Sequence, residues 1–351
     1  MQKVIHRRRK KKSSFAASFL VALLLIICIF ATSAILMLVF NTYVSGATTI
    51  GETVRERFGN MNRQAYGSTE PHEDECNIAN IRFTPPSTYH LDAFFSQFGT
   101  DIGIYYKNLD TDFVYSFNSD RVFFGASLNK ANLALHTYMA AEQDYINMYA
   151  MHTFTAEDWW GGTGIIRFMP AGTRLTTREL LHHSIVYSDN VAFRMLAQYM
   201  ERTGFSYRNF VDELGANPDF IRCTYSHNTS AEDTALWFYA IHNYLESDSR
   251  YGHYLRDDLL NTALYSHPYF TRGYTFGGDS DVNVQFLHSS YPVAQKYGWF
   301  NGAFNTAGIV YAPSPYILVI VSNMHHGAHE LFEEISWMFE EFNERHFRFS
   351  W

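Results

Sequence analysis

Twenty-six consecutive residues, Phe15 to Phe40, carry no charge, and the run Phe19-Leu-Val-Ala-Leu-Leu-Leu-Ile-Ile-Cys-Ile-Phe30 inside them is almost purely aliphatic. At ~1.5 Å per residue a helix of that length crosses a hydrocarbon core of about 30 Å with length to spare. A cleaved secretory signal has an apolar stretch of only about 7–15 residues. Val44-Ser-Gly-Ala47 has the small residues of a cleavage site, but the length of the run predicts a retained transmembrane anchor. The cluster Arg7-Arg-Arg-Lys-Lys-Lys12 precedes it, so the positive-inside rule predicts a cytoplasmic N-terminus and a single pass through the plasma membrane. Everything after Val44 is then expected outside the cell. The basic cluster needs no role beyond setting this orientation.

Charge sharpens that division. Seven of the 27 Lys and Arg residues lie in Met1–Lys12, and no acid precedes Glu52, so the remainder carries 20 bases against 35 acids, a balance of −15. An acidic body has no basic face for phosphates, which excludes an electrostatic nucleic-acid binder. The 47% hydrophobic and 17% aromatic content excludes a disordered chain. Residues 1–14 read as a cytoplasmic basic tail, 15–40 as the anchor, and 41–86, polar and punctuated by Gly46, Gly51, Gly59, Gly67 and Pro85-Pro86, as an extracellular stalk. Residues 87–351 remain for one large domain or two lobes sharing a cleft. With Cys28 in the anchor, Cys76 and Cys223 are left to form either one disulfide or two buried thiols.

Within the outer part the pattern predicts a short helix over Leu91–Phe98, then strands Ile102–Tyr106 and Phe113–Phe117 around the turn Asn108-Leu-Asp-Thr111. A helix free of Gly and Pro follows from Ser127 to about Gln143. Thr176-Thr-Arg-Glu179 has capping-box spacing ahead of Leu180, Leu181 and Ile185, and that helix stops at Ser188-Asp-Asn190. Helical spacing resumes over Val191–Arg202. Three β-rich runs, Val293–Phe300, Ala307–Tyr311 and Tyr316–Ser322, precede a final helix from about Ala328 to Glu344. Strands at both ends with helices between them predict an α+β fold: one antiparallel sheet closed by N- and C-terminal elements, plus a helical lobe.

The chemistry-bearing feature is Phe124-Gly-Ala-Ser127-Leu-Asn-Lys130, which puts a serine at the first turn of a helix and a lysine three residues on, sharing one face. A serine hydroxyl is a weak nucleophile until a base takes its proton. A lysine can do so if burial or a second cation lowers its pKa, and the helix N-terminus offers N–H groups to a developing oxyanion. Two further elements follow in order, Ser188-Asp-Asn190 at 61 residues and Lys296-Tyr-Gly298 after another 108.

With these three elements the chain resembles the class A β-lactamases and related penicillin-recognising serine enzymes, whose signature is Ser-x-x-Lys, Ser-Asp-Asn and Lys-Thr/Ser-Gly. The flanks join the resemblance: Asp101–Lys130, Gly161-Gly-Thr-Gly164 through Leu196, and Ala294–Gly298 with Ala307-Gly-Ile-Val-Tyr311. It implies a β-lactamase/transpeptidase-like domain over 87–351 that forms an acyl-enzyme on a β-lactam or a peptidoglycan stem peptide. Ser127 is implied as the nucleophile and Lys130 as its proton acceptor. Ser188 would return a proton to the leaving nitrogen, and Lys296 would supply positive field. Asn190, Tyr297 and Gly298 are implied on the substrate side, with the N–H groups of Ser127 and Trp299 as the oxyanion hole. No cofactor or metal is implied; His325, His326 and His329 lack the His-Glu-x-x-His pattern and read as a surface helix start.

Two departures stand out. Hydrolytic members carry a loop glutamate that activates the deacylating water, whereas residues 215–230 contain no glutamate; Asp219 is their only acid, with Glu213 before and Glu232 after. A long-lived acyl-enzyme, as in D,D-peptidases, transpeptidases and penicillin sensors, is the alternative this implies. Tyr297 stands where the family has a short hydroxyl residue, and a phenol swings its oxygen several ångströms further from the strand. Trp159, Trp160, Trp299 and Phe300 flank the motifs and are candidates either to line the cleft or to pack into the core.

Overall fold

The computed structural model describes residues 85–216, 225–262, 287–300, 302–324 and 328–348, all within the compact unit Ser68–Trp351. The expected anchor, nearly all of the stalk, all three cysteines, Asp219, His325 and His326 lie outside the described residues. Among the described residues no helix is long and apolar enough to cross a membrane.

In chain order the elements are α1 (Tyr89–Phe95), β1 (Ile102–Asn108), β2 (Val114–Phe117), β3 (Phe123–Phe124), α2 (Asn129–Glu142), β4 (Met151–Thr153), β5 (Arg174–Thr176), α3 (Thr177–Val186), α4 (Asn190–Met200), α5 (Tyr207–Leu214), β6 (Asn228–Thr229), α6 (Ala231–Glu246), α7 (Gly252–Asn261), β7 (Val293–Phe300), β8 (Ala303–Val310), β9 (Tyr316–Ser322) and α8 (His329–Phe347). The main sheet runs β2-β1-β9-β8-β7, antiparallel throughout. The expected closure of the sheet by its two chain ends is therefore present, with Ile104 opposite Ile320 at its centre.

Both faces of this sheet are covered, and every residue of β8 and β9 is buried. That is why Tyr316-Ile-Leu-Val-Ile-Val321 reads as a continuous apolar run, without the alternation of a half-wet strand. Side chains alternate along a strand. Ile317, Val319 and Val321 join Ala294, Ala307 and Ile309 in the core shared with the helices. Tyr316 contacts Tyr106, which stacks on Phe339 of α8 at 5.2 Å. On the lobe side α6 lies across β1, β8 and β9, and α7 meets β7.

The largest boundary difference from the sequence reading is in β8. The strand expected at Ala307–Tyr311 begins at Ala303, because Gly302, at φ 101°, makes a tight return that pairs Phe300 with Ala303. The short pairs β3–β6 and β4–β5 carry no local signal in sequence. In α2 every residue from Asn129 to Ala141 except Met139 is buried, so the helix is enclosed on all sides and shows no polar stripe. The capping box is present as expected: Thr176 Oγ1 accepts the Glu179 N–H at 3.1 Å and the Thr176 N–H donates to Glu179 Oε2 at 2.6 Å. Such caps stabilise a helix by about 1 kcal/mol.

Candidate active site

Ser127 lies in a 3-10 turn, Ala126–Leu128, that leads into α2. The residue before it, Ala126, has φ 49°, and Ser188 has φ 51°. Left-handed conformations of non-glycine residues cost on the order of 1–3 kcal/mol and persist where the surroundings enforce them. Here the enforcement is visible. A Cβ on Gly298 would lie 2.1 Å from the Gly125 carbonyl oxygen and 3.0 Å from the amide nitrogens of Ser127 and Leu128. Strand β7 is thus pressed against the Ser127 turn at a separation only glycine allows. Asn305 on β8 fixes the same junction, donating to the Phe124 carbonyl at 3.0 Å and the Gly298 carbonyl at 3.2 Å while accepting the Ser322 N–H at 3.0 Å.

The second motif is shaped by Asp189, fully buried in the junction between α3 and α4. One carboxylate oxygen caps α4, accepting from Val191 N at 2.8 Å and Ala192 N at 3.0 Å. The other accepts from Ile165 N at 2.7 Å and Ile166 N at 2.9 Å. Four N–H donors satisfy the carboxylate and tie the 161–166 loop to the motif. The glycines of that loop are there for space: a Cβ on Gly164 would sit 2.1 Å from Asp189 Cγ, and one on Gly162 would sit 2.5 Å from Asn190 Nδ2. Asn190 Nδ2 donates to the Gly161 carbonyl at 2.7 Å, and Thr163 Oγ1 donates to the Ser188 carbonyl.

Into this frame project two lysines. Lys130 is 2% exposed, and its Nζ donates to the Ser188 carbonyl, to Ser188 Oγ at 3.1 Å and to Asn190 Oδ1 at 2.7 Å. Lys296, fully buried on β7, donates from Nζ to Ser188 Oγ at 3.1 Å and to the Tyr297 carbonyl at 2.9 Å. Two amines thus converge on one hydroxyl, and no salt-bridge partner touches either among the described residues. Burial pushes Lys130 down to about 7 against an upward pull from Asp189. Burial, then the charge of Lys130, pushes Lys296 well below its ordinary range. Desolvation and like charge both penalise the ammonium form, so the pair favours a state in which a lysine is neutral near pH 7.

The structure brings Ser188, Lys130, Lys296 and Asn190 into one hydrogen-bonded cluster and sets Gly298 and Ser127 against each other. Ser127 is half-buried, and its hydroxyl makes no hydrogen bond among the described residues. Tyr297 is 8% exposed, with Lys296 Nζ 4.1 Å from its ring centroid. It offers the ammonium a π face, and burial raises its phenol above the ordinary range. Trp159, Trp160 and Phe300 are exposed, not core; Phe300 meets the ring of Phe124 at 5.9 Å. Sequence reading missed Thr163 and Asn305 as parts of this frame; glycines at 162 and 164 around Thr163 were the available signal. Among the described residues no group of His, Cys, Asp and Glu is placed to hold a metal ion.

A family model described as the beta-lactamase enzyme family matches residues 87–338. Among solved structures the chain is similar to PBP-A, with TM-score 0.58 and 19% identity over 75% of this chain and 100% of that one. A PBP-A mutant solved as an acyl-enzyme complex with penicillin G gives TM-score 0.57 and 19% identity over 73% and 95%. A β-lactamase from Chitinophaga pinensis gives TM-score 0.55 and 20% identity over 70% and 95%. No curated protein sequence matches. At these identities the structural likeness establishes the α+β fold, with its antiparallel sheet and helices. The family match covers more than half of the chain, and by it the chain belongs to the beta-lactamase enzyme family of serine hydrolases.

Proposed function

We propose that the chain is a membrane-anchored serine hydrolase of the cell exterior that forms an acyl-enzyme through Ser127 on a β-lactam or a peptidoglycan-type amide. The observation that carries this reading is the convergence of two buried, mutually repelling lysines on the Ser188 hydroxyl beside the Ser127 turn. Lys130 in its amine form takes the proton of Ser127 as Oγ bonds to the amide carbon. The oxyanion that forms is met by the N–H groups of Ser127 and Trp299, which the Gly298 contact holds near each other. Ser188, accepting from both lysines, has its own O–H left to donate to the departing nitrogen, and a lysine ammonium replaces that proton. Asn190 and Tyr297 lie on the substrate side, and Lys296 supplies the positive field for an anionic substrate group. The solved penicillin G acyl-enzyme of a PBP-A mutant supports a β-lactam as the first substrate to try.

Incubating the full chain with fluorescent penicillin and following the adduct by intact mass tests the reading. A covalent label present in the parent and absent in Ser127→Ala is expected; no label on the parent would overturn it. A second reading, a D,D-peptidase, transpeptidase or slowly deacylating sensor, rests on the absence of glutamate from residues 215–230, and a label lasting for hours would favour it. The anchor and external location rest on the basic cluster before residues 15–40 and are checked by protease accessibility of the domain on intact cells.

A further inference from the structure

Acylation of Ser127, on which this inference rests, leaves one step without a residue. The ester is removed when water attacks its carbonyl carbon, and a base must take the proton of that water. The described end of the glutamate-free stretch supplies a different group.

His227 precedes β6. Its carbonyl accepts the Gly125 N–H at 2.6 Å, two residues before Ser127, and its ring stacks on Phe124 with centroids 5.7 Å apart and planes at 7°. Phe193, one turn after Asn190 on α4, also meets the ring, nearly edge-on at 6.1 Å. The imidazole is held between the strand that enters the nucleophile turn and the helix that carries Asn190. It is half-buried, and its ring nitrogens make no hydrogen bond among the described residues. With Leu128, Asn129, Asn132 and Tyr207 it lines a small cavity of about 20 Å³ beside α2, room for about one water. Asn129 Oδ1 and Asn132 Oδ1 are buried there without a partner among the described residues; unpaired buried acceptors are what an ordered water satisfies.

We propose that His227 is the general base that activates the deacylating water. An imidazole nitrogen takes one proton of the water as its oxygen bonds to the acyl carbon. The tetrahedral species collapses with cleavage of the bond to Ser127 Oγ, and the imidazolium proton passes to that oxygen. A carboxylic acid leaves and the free serine returns. The elements against the ring are β3, α4 and α2, and the charged group acting on it from them is Lys130. Burial, then the Lys130 charge, holds the imidazole below its ordinary range, in the neutral form that accepts a proton.

His227→Gln and His227→Phe separate a base from a packing residue, since phenylalanine keeps both ring contacts. Adduct formation and adduct loss are followed separately by intact mass with a penicillin, from pH 5 to 8. Both variants are expected to acylate within about twofold of the parent and to lose the adduct at least ~10-fold more slowly. The parent's deacylation should fall with acid, and that limb should vanish in both variants. Deacylation at the parental rate and pH profile in His227→Phe would overturn the inference while leaving the acyl-enzyme reading intact. No adduct on the parent would overturn both.

Discussion

Two clusters of buried charge, one between helices of the lobe and one where the lobe meets strand β7, are built on opposite terms. In one, Arg178 of α3 grips Asp258 of α7 through two hydrogen bonds, at 2.7 and 3.0 Å, while His182 reaches the same carboxylate at 2.8 Å. Burial opposes the Arg178 charge, but Tyr138 and Asp258 outweigh it and hold the guanidinium charged above its ordinary range. In the other, Lys130 and Lys296 share Ser188 and touch no carboxylate among the described residues. A cation matched by a bidentate anion is locked in one protonation state and fastens two helices. A cation matched by another cation is left able to give up its proton, which is what nucleophile activation requires.

Removing each charge should separate the two roles. Lys130→Met is expected to lower acylation at least ~10³-fold with stability unchanged or raised, because an apolar side chain replaces a desolvated amine. Stopped-flow labelling and urea unfolding on one preparation check both halves; a large loss of stability would mean that this lysine is structural after all. Asp258→Ala should do the reverse. Leaving Arg178 buried and unpaired should cost about 3 kcal/mol in urea unfolding, with the acylation rate of the folded fraction nearly unaltered. The mildest test is pH. Lys130 titrates near 7, so acylation should fall about tenfold per unit below that point and level off above it. The sign for folding follows from the same shift. Between the ordinary lysine range and pH 7 the unfolded chain binds the proton more readily, so stability declines as pH falls through that window.

The motifs were legible because each is a few residues long and its chemistry depends on local spacing. Tyr316–Ser322 was legible because Tyr316 to Val321 is an unbroken apolar run, and Val293–Phe300 because β-forming residues flank its Lys-Tyr-Gly triplet. What sequence could not give was the frame. Asp189 looks like an ordinary helix cap, and its second pair of donors, Ile165 and Ile166, lies more than 20 residues away. Gly298 looks like the end of a triplet, and its purpose appears only when β7 meets the turn of Ser127. The role proposed for His227 depends on β3 pairing with β6 across some hundred residues, which no local pattern encodes.

The pairing of β1 with β9 also sets the order in which the domain can be made. Ile102 lies opposite Ser322, 220 positions later. Until β9 has been synthesised, β1 has only β2 beside it, an isolated hairpin of marginal stability. Loop closure on that scale is slow, and a growing chain must hold Leu133, Leu180 and Ile241 without the strands that finally cover them. The domain therefore closes only once β9 has been made, and any truncation before Tyr316 should yield a chain that aggregates instead of a smaller working enzyme.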